Sequence, residues 1–485
     1  MALPNTTITT AALVPPGAFV PPKPSEIAPG QPPPDYTGLP AFCRVAATIS
    51  PVPDSAINFE VWLPASGWNG KFVGIGNGGF SGQVFHFFMG DPLTRGYAVA
   101  STDTGHEGGS ADASFALGHP EKLVDFGWRA VHETTVKSKA IVAAHYGTTP
   151  KRSYWTGCSS GGRQGLKEAQ QFPADYDGIV AGAPAHNWIP LMAHAAQVQV
   201  TLTDPSAGVP PPKLELLKEA AIAACDARDG VKDRVVEEPR ACSFDPARLR
   251  CKGGDGPNCL TAAQVESARK IYAGVGSPRT GEKIYPGPEP GSEPSWFAFT
   301  PGVFPIAANY WRDIVIGDPK WQLSAFDLDT HVARARSMDS AGLTTTDANL
   351  KGFVGRGGKL LLWHGWTDGL IPARSSIDYY ESVAAAMGAD AIAESVKLFM
   401  APGVDHCAGG EGTFVIDGLA AIDAWVERGR APTRIVASRP LEGGKQRTRP
   451  LCPYPQVARY NGTGNTDDAS SFACGPPTPP RGTGG

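Results

Sequence analysis

The chain is short of the features that most binding proteins carry. It has no basic block: 43 Lys and Arg stand against 47 Asp and Glu, giving a formal net charge of −4 over 485 residues. Neither a nucleic-acid footprint nor an anionic-lipid surface is written into such a balance. Although 41% of residues are hydrophobic, no apolar run approaches the roughly 20 residues that a membrane-spanning helix needs. Nine cysteines are present, yet no two sit at the C-x₂₋₄-C spacing of a zinc site. No internal repeat or heptad array appears, which removes solenoids and coiled coils. Residues 1–34 show neither the basic start nor the apolar core of a secretory leader.

Glycine (58) and proline (46) are abundant, as in a loop-rich enzyme. Cys225 and Cys242, Cys251 and Cys259, and Cys452 and Cys474 are each close in sequence and embedded in Gly/Pro/Asp-rich text. They read as disulfides of a secreted or periplasmic protein, with local pairing closing the shortest loops. Cys43 is the odd one out. With this cysteine usage we expect a mature chain, its leader already removed.

Residues 1–40 are Pro-rich and predict extended, polyproline-like backbone. Alternating Ile57, Phe59, Val61 and Leu63 predict a half-buried strand, and buried strands are expected at 71–75, 97–101, 153–156 and 178–181. Helices are expected at 125–145 and 160–172. This strand-turn-helix rhythm predicts an α/β fold with a mostly parallel sheet. It breaks over 188–350, where the text is irregular, and resumes with strands at 359–363 and 396–400 and helices at 375–387 and 414–428. A stretch that long is not a loop. We therefore expect a catalytic domain from 1–187 and 351–485, an inserted lid domain at 188–350, and a disulfide-stapled C-terminal tail.

The chemistry concentrates in a few words of sequence. Gly157-Cys158-Ser159-Ser160-Gly161 has the G-x-S-x-G form of a nucleophile elbow, between an expected strand and helix. Asp368 follows the 359–363 strand and His406 the 396–400 strand, so the order Ser159, Asp368, His406 is that of an α/β-hydrolase triad. His364 is an alternative base. Asp405 adjoins His406, but neighbouring side chains diverge, so it is a poor orienting acid. Oxyanion stabilisation needs two N–H donors: Ser160, after the nucleophile, and Gly79 in the glycine-rich loop after 71–75. Cys158 and Cys407 flank the nucleophile and the base, and a bridge between them would hold those loops together. Asp226, Asp229 and Asp233, with the carbonyls of Val231 and Val235, offer hard oxygen ligands suited to a structural Ca²⁺. Trp296, Phe297, Phe299, Phe304, Tyr310 and Trp311 form either a stacking surface for an aromatic substrate or the lid's own core.

These residues resemble those of the tannase and feruloyl esterase family. The resemblance runs through Leu39-Pro40-Ala41-Phe42-Cys43-Arg44, Glu60-Val61-Trp62-Leu63-Pro64, Trp68-Asn69-Gly70-Lys71-Phe72, Gly76-Asn77-Gly78-Gly79 and Ser101-Thr102-Asp103-Thr104-Gly105-His106. It continues in Gly157–Arg163, His364-Gly365-Trp366-Thr367-Asp368 and His406-Cys407. It implies Ser159, Asp368 and His406 as triad, a Cys158–Cys407 bridge, and a lid calcium on Asp226, Asp229, Val231, Asp233 and Val235. It also implies a partner for Cys43 upstream, which this chain lacks. The implied activity is hydrolysis of an aromatic, feruloyl-type ester, attached to plant polysaccharide or polyphenol, without an organic cofactor. Gallate and terephthalate monoesters are the alternative substrates, and Arg312 is the candidate for reading a terephthalate carboxylate. A non-catalytic binder of phenolics or sugars is the non-enzyme alternative.

Overall fold

The computed structural model describes residues 3–23 and 33–477. The protein is a mixed α/β structure built on a large, mostly parallel sheet. Two compact units divide it.

The first unit comprises Met1–Trp188, Asn309–Trp321 and Ala333–Leu360. Its strands are β1 (Thr6–Val14), β2 (Phe42–Ile49), β3 (Ile57–Pro64), β4 (Lys71–Ile75), β5 (Ala98–Thr102), β6 (Arg152–Cys158) and β7 (Gly178–Gly182), in the spatial order β1-β2-β3-β5-β4-β6-β7. β1, β2 and β3 form an antiparallel meander joined to β5, whereas β5, β4, β6 and β7 run parallel. β5 and β7 are buried at every position, as strands covered on both faces should be.

β1 corrects the polyproline expectation for the N-terminus. Thr6–Val14 contains Thr, Ile and Val without proline, and it pairs along its length with β2. β-branched side chains favour that pleated edge, a signal hidden when composition is averaged over the Pro-rich tail. Part of that tail, residues 24–32, lies outside the described residues. The expected helix at 125–145 opens as a π-helical turn, Asp125–Arg129, before its regular part Ala130–Tyr146.

The second unit comprises Ile189–Ala308, Gln322–Val332 and Leu361–Gly485. A short hairpin, β8 (Val275–Gly276) and β9 (Lys283–Tyr285), precedes the neighbouring strands β10 (Lys359–Gly365) and β11 (Val396–Ala401). Two further hairpins follow: β12 (Ile435–Pro440) with β13 (Gln446–Leu451), and β14 (Val457–Tyr460) with β15 (Phe472–Gly475). The stretch expected to be irregular instead carries helices Trp188–Leu202, Pro211–Cys225, Ala262–Ala273 and Leu328–Met338. Trp188–Leu202 is buried over nearly its whole length, so its residues are apolar all round and give no helical period to read. Ala262–Ala273 opens on a capping box between Thr261 and Gln264.

Cys225–Cys242, Cys251–Cys259 and Cys452–Cys474 are disulfides, and Cys43 is a half-buried free cysteine. No helix among the described residues is long and apolar enough to cross a membrane.

Candidate active site

β6 stops at Cys158 and the helix Ser160–Gln171 starts at once, leaving one residue to turn the chain. Ser159 does so at φ 63° and ψ −123°, a conformation that costs a non-glycine residue roughly 1–3 kcal/mol. Its N–H donates to Gly182 O at 3.0 Å, and its carbonyl accepts from Ala185 N at 3.0 Å and Arg163 N at 3.1 Å. The glycines of the motif are there for space. A Cβ on Gly157 would lie 2.6 Å from the Gly161 carbonyl carbon, and one on Gly161 would lie 3.0 Å from Asn77 O and the Gly76 Cα. The turn closes on itself and against the loop after β4, so side chains have no room at either position.

That loop is braced from three sides. Asn77 N–H donates to Gln164 Oε1 at 3.0 Å, and Asn77 Nδ2 donates to Thr102 O at 2.8 Å and Gln83 O at 3.1 Å. Ser160 Oγ donates to Gly79 O at 2.8 Å, joining the two candidate oxyanion residues directly. Gly79 takes φ +51°, and a Cβ there would lie 2.1 Å from Ser110 O. Ser160 is the first residue of its helix, so its N–H has no carbonyl within the helix to meet.

In the second unit, the loops after β10 and β11 are zipped together. Trp366 N–H donates to Ala401 O at 2.9 Å, Thr367 N–H to Val404 O at 3.1 Å, and Thr367 Oγ1 to Asp405 Oδ1 at 2.8 Å. Asp405 is thereby engaged away from His406, and burial pushes its carboxyl up to about 6. Asp368 is fully enclosed. Its Oδ1 accepts from Leu370 N at 2.9 Å and Ile371 N at 2.8 Å. Its Oδ2 accepts from His406 Nδ1 at 2.7 Å and His364 Nε2 at 3.1 Å. Burial alone would raise this carboxyl, but its electrostatic pairing with His406 and the hydrogen bonds from His364 and His406 hold it well below the usual carboxylate range. His406 is partly exposed, and its neighbour Cys407 takes φ 63°. Cys158 and Cys407 are both disulfide-bonded.

His364, the alternative base, is wholly enclosed with both ring nitrogens occupied. Arg312 forks onto Asp313 through two 2.6 Å hydrogen bonds, so its charge is already matched within the chain. Trp296 and Phe299, in the second unit, and Tyr310 and Trp311, in the first, are buried, while Phe304 is half-buried and Phe297 exposed. Most of these aromatics are core.

The acidic loop has the donor chemistry of a hard-cation site. Burial raises Asp229 to about 6, with the charges of Asp233 and Asp226 adding to the rise. Glu237, which the sequence reading passed over, lies half-buried beside Asp229 and Asp233 and is pushed up to about 8, first by desolvation. The C-terminal tail clasps this loop: Arg449 Nη2 donates to Asp233 Oδ2, and Ala458 N–H donates to Glu237 Oε1 at 2.8 Å. Val231 joins Cys452, Ala458 and Phe472 in one apolar cluster.

The family model of tannase and feruloyl esterase matches residues 43–475. An uncharacterized esterase of Xanthomonas campestris pv. campestris is 39% identical over 98% of this chain and 90% of its own. The mono(2-hydroxyethyl) terephthalate hydrolase of Piscinibacter sakaiensis is 34% identical over 90% of this chain and 85% of its own. The crystal structure of feruloyl esterase B from Aspergillus oryzae superposes with a TM-score of 0.88 at 30% identity, covering 98% of this chain and 97% of that one. The chain belongs to the tannase and feruloyl esterase family and is a carboxylic ester hydrolase.

Proposed function

We propose that the protein is a secreted or periplasmic serine esterase that cleaves aromatic carboxylic esters, of the hydroxycinnamate type, through an acyl-Ser159 intermediate. The observation that carries this reading is the 2.7 Å hydrogen bond from His406 Nδ1 to the enclosed Asp368. It fixes the tautomer that leaves Nε2 as the working nitrogen. His406 Nε2 takes the Ser159 hydroxyl proton as Oγ attacks the ester carbonyl, then gives it to the departing alcohol. A water deprotonated by the same nitrogen hydrolyses the acyl-serine. Asp368 orients the ring and stabilises the imidazolium. The N–H groups of Ser160 and Gly79 stabilise the tetrahedral oxyanion, and the Ser160–Gly79 hydrogen bond supports that pairing.

Cys158 and Cys407 bond to each other in this reading. Both are oxidised, and the other six disulfide cysteines pair among themselves. Residues 188–350 act as an inserted lid, with the core formed by 1–187 and 351–485. Ca²⁺ is held by Asp226, Asp229 and Asp233 with the carbonyls of Val231 and Val235. It supplies charge balance to a partly buried acidic loop and takes no part in the reaction. Oxidised cysteines support an extracytoplasmic compartment.

The aromatic acyl preference rests on relatives named for feruloyl and terephthalate esters. A panel of methyl ferulate, chlorogenate, methyl gallate and mono(2-hydroxyethyl) terephthalate tests it. The highest kcat/KM should fall on a hydroxycinnamate, and a preference for gallate or terephthalate reassigns the acyl group. Ser159→Ala should abolish turnover without lowering Tm. Retained turnover would end the serine mechanism, and an inert wild type would favour a non-catalytic binder.

A further inference from the structure

We propose that His364 and Ser376 form a second hydrogen-bonding relay behind the acid. In it, His364 is a positioning residue that holds Asp368 for His406. The proposal rests on the triad reading above and extends it by two residues.

The protons can be assigned from the partners. His364 Nε2 lies 2.9 Å from Ile371 O and 3.1 Å from Asp368 Oδ2. A carbonyl only accepts, so Nε2 carries the hydrogen and shares it between the two oxygens. Nδ1 lies 2.7 Å from Ser376 Oγ, and the hydroxyl can donate to it, which locks the ring in the Nε2–H tautomer. His364 and Ser376 are both wholly enclosed, so no water substitutes for either partner.

The consequence falls on the carboxylate. Asp368 has about four acceptor sites, and four N–H groups reach it: Leu370, Ile371, His406 and His364. The two main-chain donors fix Oδ1. His364 fixes the far side of Oδ2, so the carboxylate cannot rotate away from His406. His364 also withdraws electron density from the oxygen that His406 uses. This weakens the base facing the imidazolium and keeps the proton from being over-stabilised on His406. The other ionisable groups facing this cluster are Asp405, across the zipped loops, and the Tyr285 phenol, which burial holds far above its ordinary range.

His364→Leu and His364→Gln, with Ser376→Ala, test the relay in the full-length oxidised protein, beside Ser159→Ala. The Gln amide nitrogen can occupy the Nε2 position, whereas Leu offers no donor. His364→Leu should lower kcat about 10- to 100-fold, the range seen when outer-shell partners of a functional ligand are lost. KM should stay within about twofold, because the lost interaction acts in the transition state. The acid limb of kcat/KM should move to higher pH, since Asp368 becomes a stronger partner for His406⁺. His364→Gln should restore most of the rate. Ser376→Ala should show the same shift at smaller amplitude, and it reports on the relay even if His364→Leu does not fold. An unshifted acid limb with wild-type kcat in His364→Leu or Ser376→Ala, while Ser159→Ala is dead, overturns the relay and leaves the triad standing. Activity in Ser159→Ala overturns both.

Discussion

Asp368 meets His406 through Oδ2 and Nδ1 at 2.7 Å, and it does so from a position with no solvent exposure at all. A carboxylate so enclosed is tolerable only because every oxygen lone pair has a donor. Asp368→Asn preserves the shape but presents an amide to one of the two imidazoles, which favours the wrong His406 tautomer. kcat should fall by about 10³–10⁴ with little change in substrate binding. Steady-state kinetics on methyl ferulate, with KM read separately, checks this.

The elbow gives a prediction about space. In Gly157→Ala the new methyl would stand 2.6 Å from main-chain atoms of Gly161, which cannot swing aside as a side chain could. The turn must open, at a cost of about 1–3 kcal/mol, and Ser159 must leave its φ of 63°. Chemical denaturation should show the loss in midpoint, and activity should fall further than stability does.

Ca²⁺ and pH are linked through the acidic loop. Asp229 and Glu237 are raised to about 6 and about 8 in the folded protein, so without metal the loop holds protons that the unfolded chain has released. A raised carboxyl of this kind stabilises the fold at low pH, and that contribution is lost as pH rises from about 4 through 6 to 8. Calcium must displace those protons. The rise in Tm on adding Ca²⁺ should therefore grow between about pH 5 and 8 and then level off. A Tm indifferent to chelator at pH 8 would refute the site.

Replacing Cys158 and Cys407 together by serine should lower stability by about 3–5 kcal/mol, if a bridge between them closes so long a loop. It should also reduce kcat/KM by an order of magnitude or more through lost positioning. Peptide mapping without reduction should recover the two cysteines in one linked fragment. Their recovery in separate fragments would break the proposed pairing.

Much of this was legible in the residues. The strand feeding Ser159, the helix leaving it, and the order of Asp368 and His406 are local or ordinal signals, and the structure delivers the elbow and the Asp368–His406 bond. Trp188–Leu202 was not legible, because a helix buried on all sides shows no period. β1 was hidden by the prolines around it. The His364–Ser376 contact and the tail's grip on the acidic loop were invisible for another reason: each joins residues whose spacing carries no rule, 12 and 216 positions apart.

That last separation bears on biosynthesis. Asp233 leaves the ribosome more than two hundred residues before Arg449, its guanidinium partner, and Glu237 waits slightly longer for the Ala458 amide. Domains tend to form in the order they are made, yet this loop cannot be completed by protein until Arg449 and Ala458 have been made. Over that interval its carboxylates depend on local main-chain donors, protons or a cation. The closing segment is thus the step that turns an early, charge-frustrated loop into finished structure.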